Sequence, residues 1–206
     1  MDETENEQLL LSEYILDFMI FGDVFKPSRG WIDSDIRAWL NGPFYEAAFS
    51  EAEKERILPV EIRPSESKYY FQDLRAVSTD RLFLLDAKEI QTFLSLPTLR
   101  KAPLTPYAQT KLENADDPYW WWTRSCDSAE YDGATVHYVN QAFVVWDDWD
   151  GSQLEEWDNL LETEENGGVR PAMWIHKKTK QEAILSKDED QNSFLNKLSK
   201  QGGTTR

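Results

Sequence analysis

The residues of this chain best suited to recognition chemistry are tryptophans set among carboxylates in residues 146–158, here called the acidic segment. Tryptophan supplies rigid contact area, and carboxylates steer a basic partner while repelling phosphate, which disfavours direct nucleic-acid binding. The alternative is a solvated acidic loop beside one or two core tryptophans. We predict that the segment binds a positively charged protein surface through Trp146, Asp147, Asp148, Trp149, Asp150, Glu155, Glu156, Trp157 and Asp158.

The same segment raises the question of calcium, because hard cations need clustered oxygen ligands. If Gly151 is placed at the turn of an EF-hand loop, the first ligand position falls on Trp146 and the last on Trp157, so that motif is excluded. Trp146, Asp147 and Asp148 are a faint match to a lectin calcium motif whose proline part is missing. We expect no resident metal or cofactor, and calcium stays an alternative.

Residues that could catalyse a reaction are sparse. His137 and His176 have no nucleophile motif or second-ligand spacing beside them, and the chain has no glycine-rich phosphate loop. Cys126 is the single cysteine, which rules out an internal disulfide and fits a small core residue in a reducing compartment. The sparse catalytic residues predict a non-enzymatic protein. The sequence also has no apolar run of about 18 residues and no basic leader, which predicts a cytoplasmic protein with no membrane association.

Charge is distributed unevenly along the chain. The 206 residues carry a formal net charge of -16, yet residues 113–168 hold 15 Asp and Glu against the single Arg124. Residues 169–206 are basic, with 8 Lys and Arg against 4 Asp and Glu. Such a run either forms a solvated face or steers a basic partner.

Two arginines and several tryptophans lie in otherwise apolar stretches. We expect Arg124 and Arg170 to satisfy loop carbonyls or a carboxylate rather than to bind a ligand, because a guanidinium carries five donors. Trp39, Trp121 and Trp174 are assigned to the core. The three consecutive tryptophans at 120–122 cannot share one face of a strand, because side chains alternate.

The local patterns predict an α+β fold. Ser34 is a predicted N-cap of a helix that ends at residues 41–43, and a capping box at Ser50 and Asp86 predicts two further helices. The apolar run at 81–85 predicts a central buried strand, and the prolines from 97 to 106 predict a loop. Further strands are predicted within 8–21 and at 60–62, 120–125, 135–139, 142–146 and 172–175, with turns at 140–141 and 166–168, a strand at 181–185 and a helix at 190–200.

Three segments carry a resemblance to a bacterial family of unknown function. They match the patterns S-x-I-R-x-W-L-N at residues 34–41, W-W-L-R-S at 121–125 and G-V-R-P-A-L-W-I at 168–175. Thr123 stands where the family has leucine, and Cys126 replaces a proline. The family is in turn similar to the formylglycine-generating-enzyme branch of the C-type-lectin-like fold. That resemblance implies a helix pair, a loop-rich middle and a small twisted antiparallel sheet, and it implies no chemistry, since the copper site of those enzymes needs two cysteines.

These observations predict one C-type-lectin-like domain at residues 8–176, a flexible N-terminus at 1–7 and a basic extension with one helix at 177–206. The predicted function is a non-enzymatic binding protein that docks a basic partner, for example as an inhibitor in the nucleic-acid channel of a DNA- or RNA-acting complex. A lectin-like adhesin or small-ligand receptor, and a degenerate relative of formylglycine-generating enzymes, are the alternatives.

Overall fold

The computed structural model describes residues 6–22, 30–63, 77–114, 119–130, 137–146, 160–162 and 166–177. For residues 97, 126–130, 137–144, 146 and 160–162 it describes the backbone alone. Within these ranges, short helices precede most of the strands, which confirms the α+β class. None of the helices in the described part of the chain is long and apolar enough to cross a membrane.

The strands form one five-stranded sheet and two strand pairs. The larger sheet has the order β2 (Asp17–Met19), β8 (Gly167–Val169), β5 (Trp120–Glu130), β6 (His137–Trp146) and β7 (Leu160–Glu162). Its neighbours are antiparallel except β5 and β8, which are parallel. Strand β1 (Glu7–Leu11) pairs with β9 (Ala172–His176), and β3 (Val60–Ile62) pairs with β4 (Ser78–Asp80), both antiparallel.

Two predicted turns are wrong, because Asn140, Gln141, Gly167 and Gly168 lie inside strands. Asn140 and Gln141 belong to β6, where Gln141 pairs with Asp127 and Val139 pairs with Ser128. Asn140 is therefore the extra residue of a β-bulge, which explains its polar character without a turn.

The glycines of the second predicted turn lie in β8 because the strand packs too closely on β5 for a side chain. A Cβ atom on Gly168 would come within 2.8 Å of the Trp120 carbonyl oxygen. On Gly167 it would overlap the Trp120 ring. Glycine inside a strand commonly marks such a close approach.

The first helical region is longer than predicted. Ser34 caps α1 (Asp35–Trp39) as expected, but the chain continues through a π-helical turn (Leu40–Phe44) into α2 (Tyr45–Ala48). Pro43 removes one helical hydrogen bond, and the wider turn with a kink at Gly42 accommodates it. The predicted end at residues 41–43 is thus a kink and not a stop.

The other helices are short and begin at clear caps. Capping boxes open α3 (Glu51–Lys54) at Ser50 and α4 (Ala87–Phe93) at Asp86, both as predicted. The proline-rich stretch predicted as a loop contains α5 (Pro97–Arg100) and α6 (Pro106–Gln109). In both, proline occupies the first helical position, where its missing N–H costs nothing.

The apolar run at residues 82–85 is buried as predicted, but it is not a strand. Phe83 forms an isolated bridge to β9, through two hydrogen bonds with Ala172 of 3.0 and 2.7 Å, and the Leu85 carbonyl accepts from the Arg124 N–H of β5. Other backbone groups of this run are bound by side chains of Asn41 and Arg124. Burial without ladder partners is tolerated when side chains satisfy the backbone.

The core lies on both faces of β5 at the three consecutive tryptophans, all of which are buried. Trp120 and Trp122 meet edge to face at 4.6 Å, and the Trp122 indole donates to the Met19 carbonyl. Trp121, on the other face, donates to the Arg100 carbonyl. The prediction that Trp121 is core is confirmed, whereas Trp39 and Trp174 are only partly buried at the margin of the core.

Candidate functional site

The predicted recognition residues begin where β6 ends. The backbone of Trp146 pairs with Trp120 at the last position of the β5–β6 ladder. Residues 147–158, which include the other eight predicted partner-binding residues, lie outside the described part of the chain. The sheet resumes at β7, whose residue Leu160 pairs with Phe143. The acidic segment therefore begins at the last residue of β6 and continues into the chain that connects β6 to β7, its antiparallel neighbour in the sheet.

Residues of the S-x-I-R-x-W-L-N motif hold the chain around residues 80–82. The Asn41 side-chain oxygen accepts from the backbone N–H groups of Arg81 and Leu82, at 2.8 and 3.1 Å. Its amide nitrogen donates to the Leu82 and Arg37 carbonyls, at 2.8 and 3.2 Å. One side chain thus fixes both the end of α1 and a distant buried segment.

Asp80 is the buried carboxylate that the same motif binds. The Arg37 Nε donates to one carboxylate oxygen at 2.8 Å, and the Arg37 guanidinium also reaches the Ile32 carbonyl. The other oxygen accepts from the Trp31 indole at 2.9 Å and from the Ser78 hydroxyl at 2.7 Å. A buried carboxylate needs this many donors to offset its lost hydration.

Arg124, in the W-W-L-R-S motif, serves the N-terminus of α4. Its guanidinium donates to the Asp86 carboxylate at 2.9 Å, to both Glu89 oxygens, and to the Leu84 carbonyl at 2.8 Å. Burial alone would lower the pKa of Arg124, but the hydrogen bonds and negative charge of Glu89, together with Asp86, raise it. Arg124 is therefore a permanent cation bound inside the fold.

An irregularity in β5 makes this contact geometrically available. Trp122 pairs with Val144 and Cys126 with Ala142, so three residues of β5 face one of β6. The bulged backbone lets the Arg124 N–H donate to the Leu85 carbonyl and the Ser125 hydroxyl accept from the Ala87 N–H. Bulges re-aim side chains in this way.

Arg170, in the G-V-R-P-A-L-W-I motif, binds three carbonyls. Its donors reach Ser12 at 2.9 Å, Leu99 at 3.3 Å and Arg100 at 3.1 Å, and its guanidinium lies 5.2 Å from the centre of the Trp121 ring. Burial lowers the pKa of Arg170 to about 10. It remains protonated at neutral pH, and it ties the N-terminal segment to α5.

The prediction that both arginines support the scaffold is confirmed. The sequence analysis missed Arg37, Asn41 and Asp80, although the Ser34 cap pointed to the beginning of their motif. Asp80 lies 43 residues from Arg37, and no local pattern could have joined them. The three motifs define a polar framework that is occupied by internal contacts.

The remaining candidates for a chemical role are two histidines and one cysteine. His176 is exposed at the end of β9, where its backbone exchanges hydrogen bonds with Arg56. His137 lies in β6 and Cys126 lies in β5, and at both positions the structure describes the backbone alone. Among the described residues, no group of three His, Cys, Asp or Glu side chains could hold a metal ion.

The chain belongs to a family described as a domain of unknown function, DUF6273, whose model matches residues 5–177. The match includes the three motifs and the nine strands of the described residues. No curated protein and no solved structure matches the chain. Family membership therefore brings no activity with it.

Proposed function

We propose that this protein is a non-enzymatic binding module whose acidic segment docks a positively charged protein surface. The observation that carries the proposal is the length and composition of the connection between β6 and β7. Adjacent antiparallel strands need only about 2–5 connecting residues, and connections longer than about 12 are uncommon and usually functional or disordered. Here the strands end at Trp146 and resume at Leu160.

The composition of this connection selects the partner. Residues 146–158 contain six carboxylates and three tryptophans, with no lysine or arginine. Carboxylates raise the rate of encounter with a basic surface, and tryptophans provide buried contact area that slows dissociation. Nucleic acid is disfavoured as a direct ligand because its phosphates would be repelled.

The family motifs support the same proposal by elimination. Arg37, Arg124 and Arg170 are bound to internal carboxylates and carbonyls, so their chemistry serves the fold. We accordingly assign recognition to the acidic segment, as Trp146, Asp147, Asp148, Trp149, Asp150, Glu155, Glu156, Trp157 and Asp158. One form of this function is an inhibitor that occupies the nucleic-acid channel of a DNA- or RNA-acting complex in the cytoplasm.

The order of the elements supports a C-type-lectin-like fold for the module. After β1 and β2, helices occupy residues 35–54. The stretch at 77–114 is rich in loops and short helices, and most of the main sheet follows from residue 120. In that fold the acidic segment would fall among the loops used for recognition. A lectin-like receptor would bind a small ligand, whereas the proposed module binds a basic protein surface, so the identity of the ligand distinguishes the two functions.

The first test uses affinity capture from a host lysate with wild-type protein and with a variant carrying Asp147→Asn, Asp148→Asn, Asp150→Asn, Glu155→Gln and Glu156→Gln. Partners captured by the wild type alone are then purified for binding kinetics. We expect association with the variant to be slower by about tenfold or more at low salt, with a flatter salt dependence, because electrostatic steering is lost.

The matched control removes the same number of charges elsewhere, at the exposed residues Glu13, Asp35, Glu46, Glu55 and Glu61. This control should associate at close to the wild-type rate. Trp149→Ala should instead speed dissociation. Competition by duplex DNA would support the channel-inhibitor form, and unaltered association of the charge-neutralised variant at low salt would refute the proposed function.

A further inference from the structure

Among the described residues, the large apolar side chains that remain exposed belong to two stretches of the chain. The large hydrophobic residues that remain exposed are Tyr14 at 42%, Ile20 at 39%, Leu96 at 60%, Leu99 at 46% and Tyr107 at 56%. All five belong to two stretches of chain, residues 14–20 and 96–107. We call this surface the apolar face.

Hydrogen bonds hold those two stretches against each other. The Ile15 N–H donates to the Pro103 carbonyl at 2.9 Å, and the Thr105 N–H donates to the Ile15 carbonyl at 3.0 Å. Arg170 binds the Ser12 and Leu99 carbonyls with one guanidinium. The five exposed side chains therefore lie on neighbouring backbone segments and not at scattered positions.

The border of the apolar face carries positive charge. Lys101 is exposed, and the Lys111 ammonium lies 5.2 Å from the centre of the Tyr107 ring. Lys111 is also 3.8 Å from Asp17. Exposed apolar side chains that are gathered on neighbouring segments commonly mark an interaction site, so a partner for this face is expected.

We propose that the apolar face is covered in cis by the C-terminal segment of the same chain, residues 188–200. The sequence predicts a helix at residues 190–200 with Phe194, Leu195 and Leu198 on one side. A helix this short is marginal in water unless its apolar side packs against something. Acidic residues at 188–190 would meet Lys101 and Lys111 at the border of the face.

The chain is long enough for this contact. The described part ends at Lys177, beside Asn6 at the start of β1, and the apolar face begins just beyond the other end of that strand. Five strand residues span about 17 Å, while residues 178–189 can extend over about 40 Å. A second copy of the chain is a poorer occupant, because a net charge of -16 opposes self-association.

Amide hydrogen exchange of the full-length chain, followed by mass spectrometry, tests the proposal. A variant with Phe194→Ser, Leu195→Ser and Leu198→Ser is compared with a control carrying Ser193→Ala and Asn196→Ser on the opposite side of the predicted helix. A tethered segment at millimolar effective concentration with an intrinsic Kd of about 0.1 mM would be docked about tenfold over undocked. We therefore expect exchange in residues 96–112 on the order of tenfold faster in the apolar variant and unchanged in the control.

A second variant, Leu96→Ser with Leu99→Ser, removes apolar side chains from the other side of the contact. It should speed exchange in residues 190–200 by a similar factor. Equal exchange in the wild type and both apolar variants would overturn the proposal. So would protection of the face that depends on protein concentration, with a dimer seen by light scattering, since the occupant would then be a second copy. Neither result would affect partner binding by the acidic segment.

Discussion

At the scale of single residues, the family motifs work by donating hydrogen bonds to backbone that has no strand partner. Asn41 and Arg170 each contact two segments that are far apart in the sequence, and Arg124 binds several groups within the distant segment 84–89. Because a buried polar group without a partner costs about 1–3 kcal/mol, a side chain that satisfies several such groups is difficult to replace.

Asn41→Ala should lower the free energy of unfolding by about 2–4 kcal/mol, because it leaves the buried Leu82 backbone groups without their side-chain partners. Asn41→Asp should also destabilise, since a carboxylate cannot donate to the Leu82 carbonyl. Urea unfolding followed by circular dichroism measures both. Gln109→Ala at an exposed helix end is the control, with an expected effect within about 0.5 kcal/mol.

The buried residues Arg124 and Arg170 should differ in their contribution to stability. Arg124→Met leaves the buried Asp86 carboxylate without its cation and should cost about 3–5 kcal/mol. Arg170→Met should cost less, about 1–3 kcal/mol, because Arg170 binds carbonyl groups and no carboxylate. The Arg100 carbonyl would also still accept a hydrogen bond from the Trp121 indole. Equal losses in chemical denaturation would contradict this ranking.

The lowered pKa of Arg170 determines the direction in which the unfolding free energy changes with pH. The folded state disfavours the charged form, so from a pH of about 10 up to the ordinary pKa of arginine the folded chain binds fewer protons than the unfolded chain. The contribution of Arg170 to the unfolding free energy therefore rises with pH within that window. Below it, both states are protonated and Arg170 adds no pH dependence.

At the scale of elements, local signals in the sequence were sufficient where one residue determines a boundary. The caps at Ser34, Ser50 and Asp86 were predictable because an N-cap acts on backbone N–H groups two or three residues away. The path of residues 82–85 was not predictable, since it depends on side chains from the π-helical turn and from β5. Only the tertiary contacts distinguish a buried strand from a buried irregular segment with the same apolar residues.

The candidate site was predictable to a similar extent. Sequence alone selected the acidic segment by composition and gave Arg124 and Arg170 a structural role. It could not reveal that the segment connects neighbouring strands β6 and β7, because pairing between strands is a long-range property. Nor could it detect Asp80 as the partner of Arg37.

Strand β5 provides a direct test of core packing. Trp121→Ala should lower the unfolding free energy by about 3–5 kcal/mol, because the ring is almost fully buried. Trp174→Ala should cost clearly less, since Trp174 is partly exposed in β9. Thermal unfolding of both variants measures the difference, and unchanged stability of Trp121→Ala would refute its place in the core.

At the scale of the whole molecule, charge and apolar surface are separated. The carboxylates are concentrated in residues 113–168, whereas the apolar face lies on residues 14–20 and 96–107 with lysines at its border. The proposed contact with a basic partner is assigned to the acidic segment, and the proposed contact with the C-terminal helix is assigned to the apolar face. The proposed partner and the proposed C-terminal helix need not compete.

Binding of the basic partner should be independent of metal ions. Treatment with a calcium chelator is expected to leave both the melting temperature and the dissociation constant unchanged, because the contact relies on carboxylates facing basic side chains. Differential scanning fluorimetry and binding kinetics before and after chelation provide the measurement. A loss of binding that added calcium restores would instead favour a lectin-like receptor.

The pairing of β1 with β9 has a mechanical consequence. Glu7 lies opposite His176, and the Lys177 N–H donates to the Asn6 carbonyl, so both ends of the described chain leave the pair at the same place. A pulling force applied at those two points would load the hydrogen-bonded rungs between β1 and β9 one after another. Strands loaded in this way separate at low tension, whereas strands pulled from opposite ends must break all their rungs together.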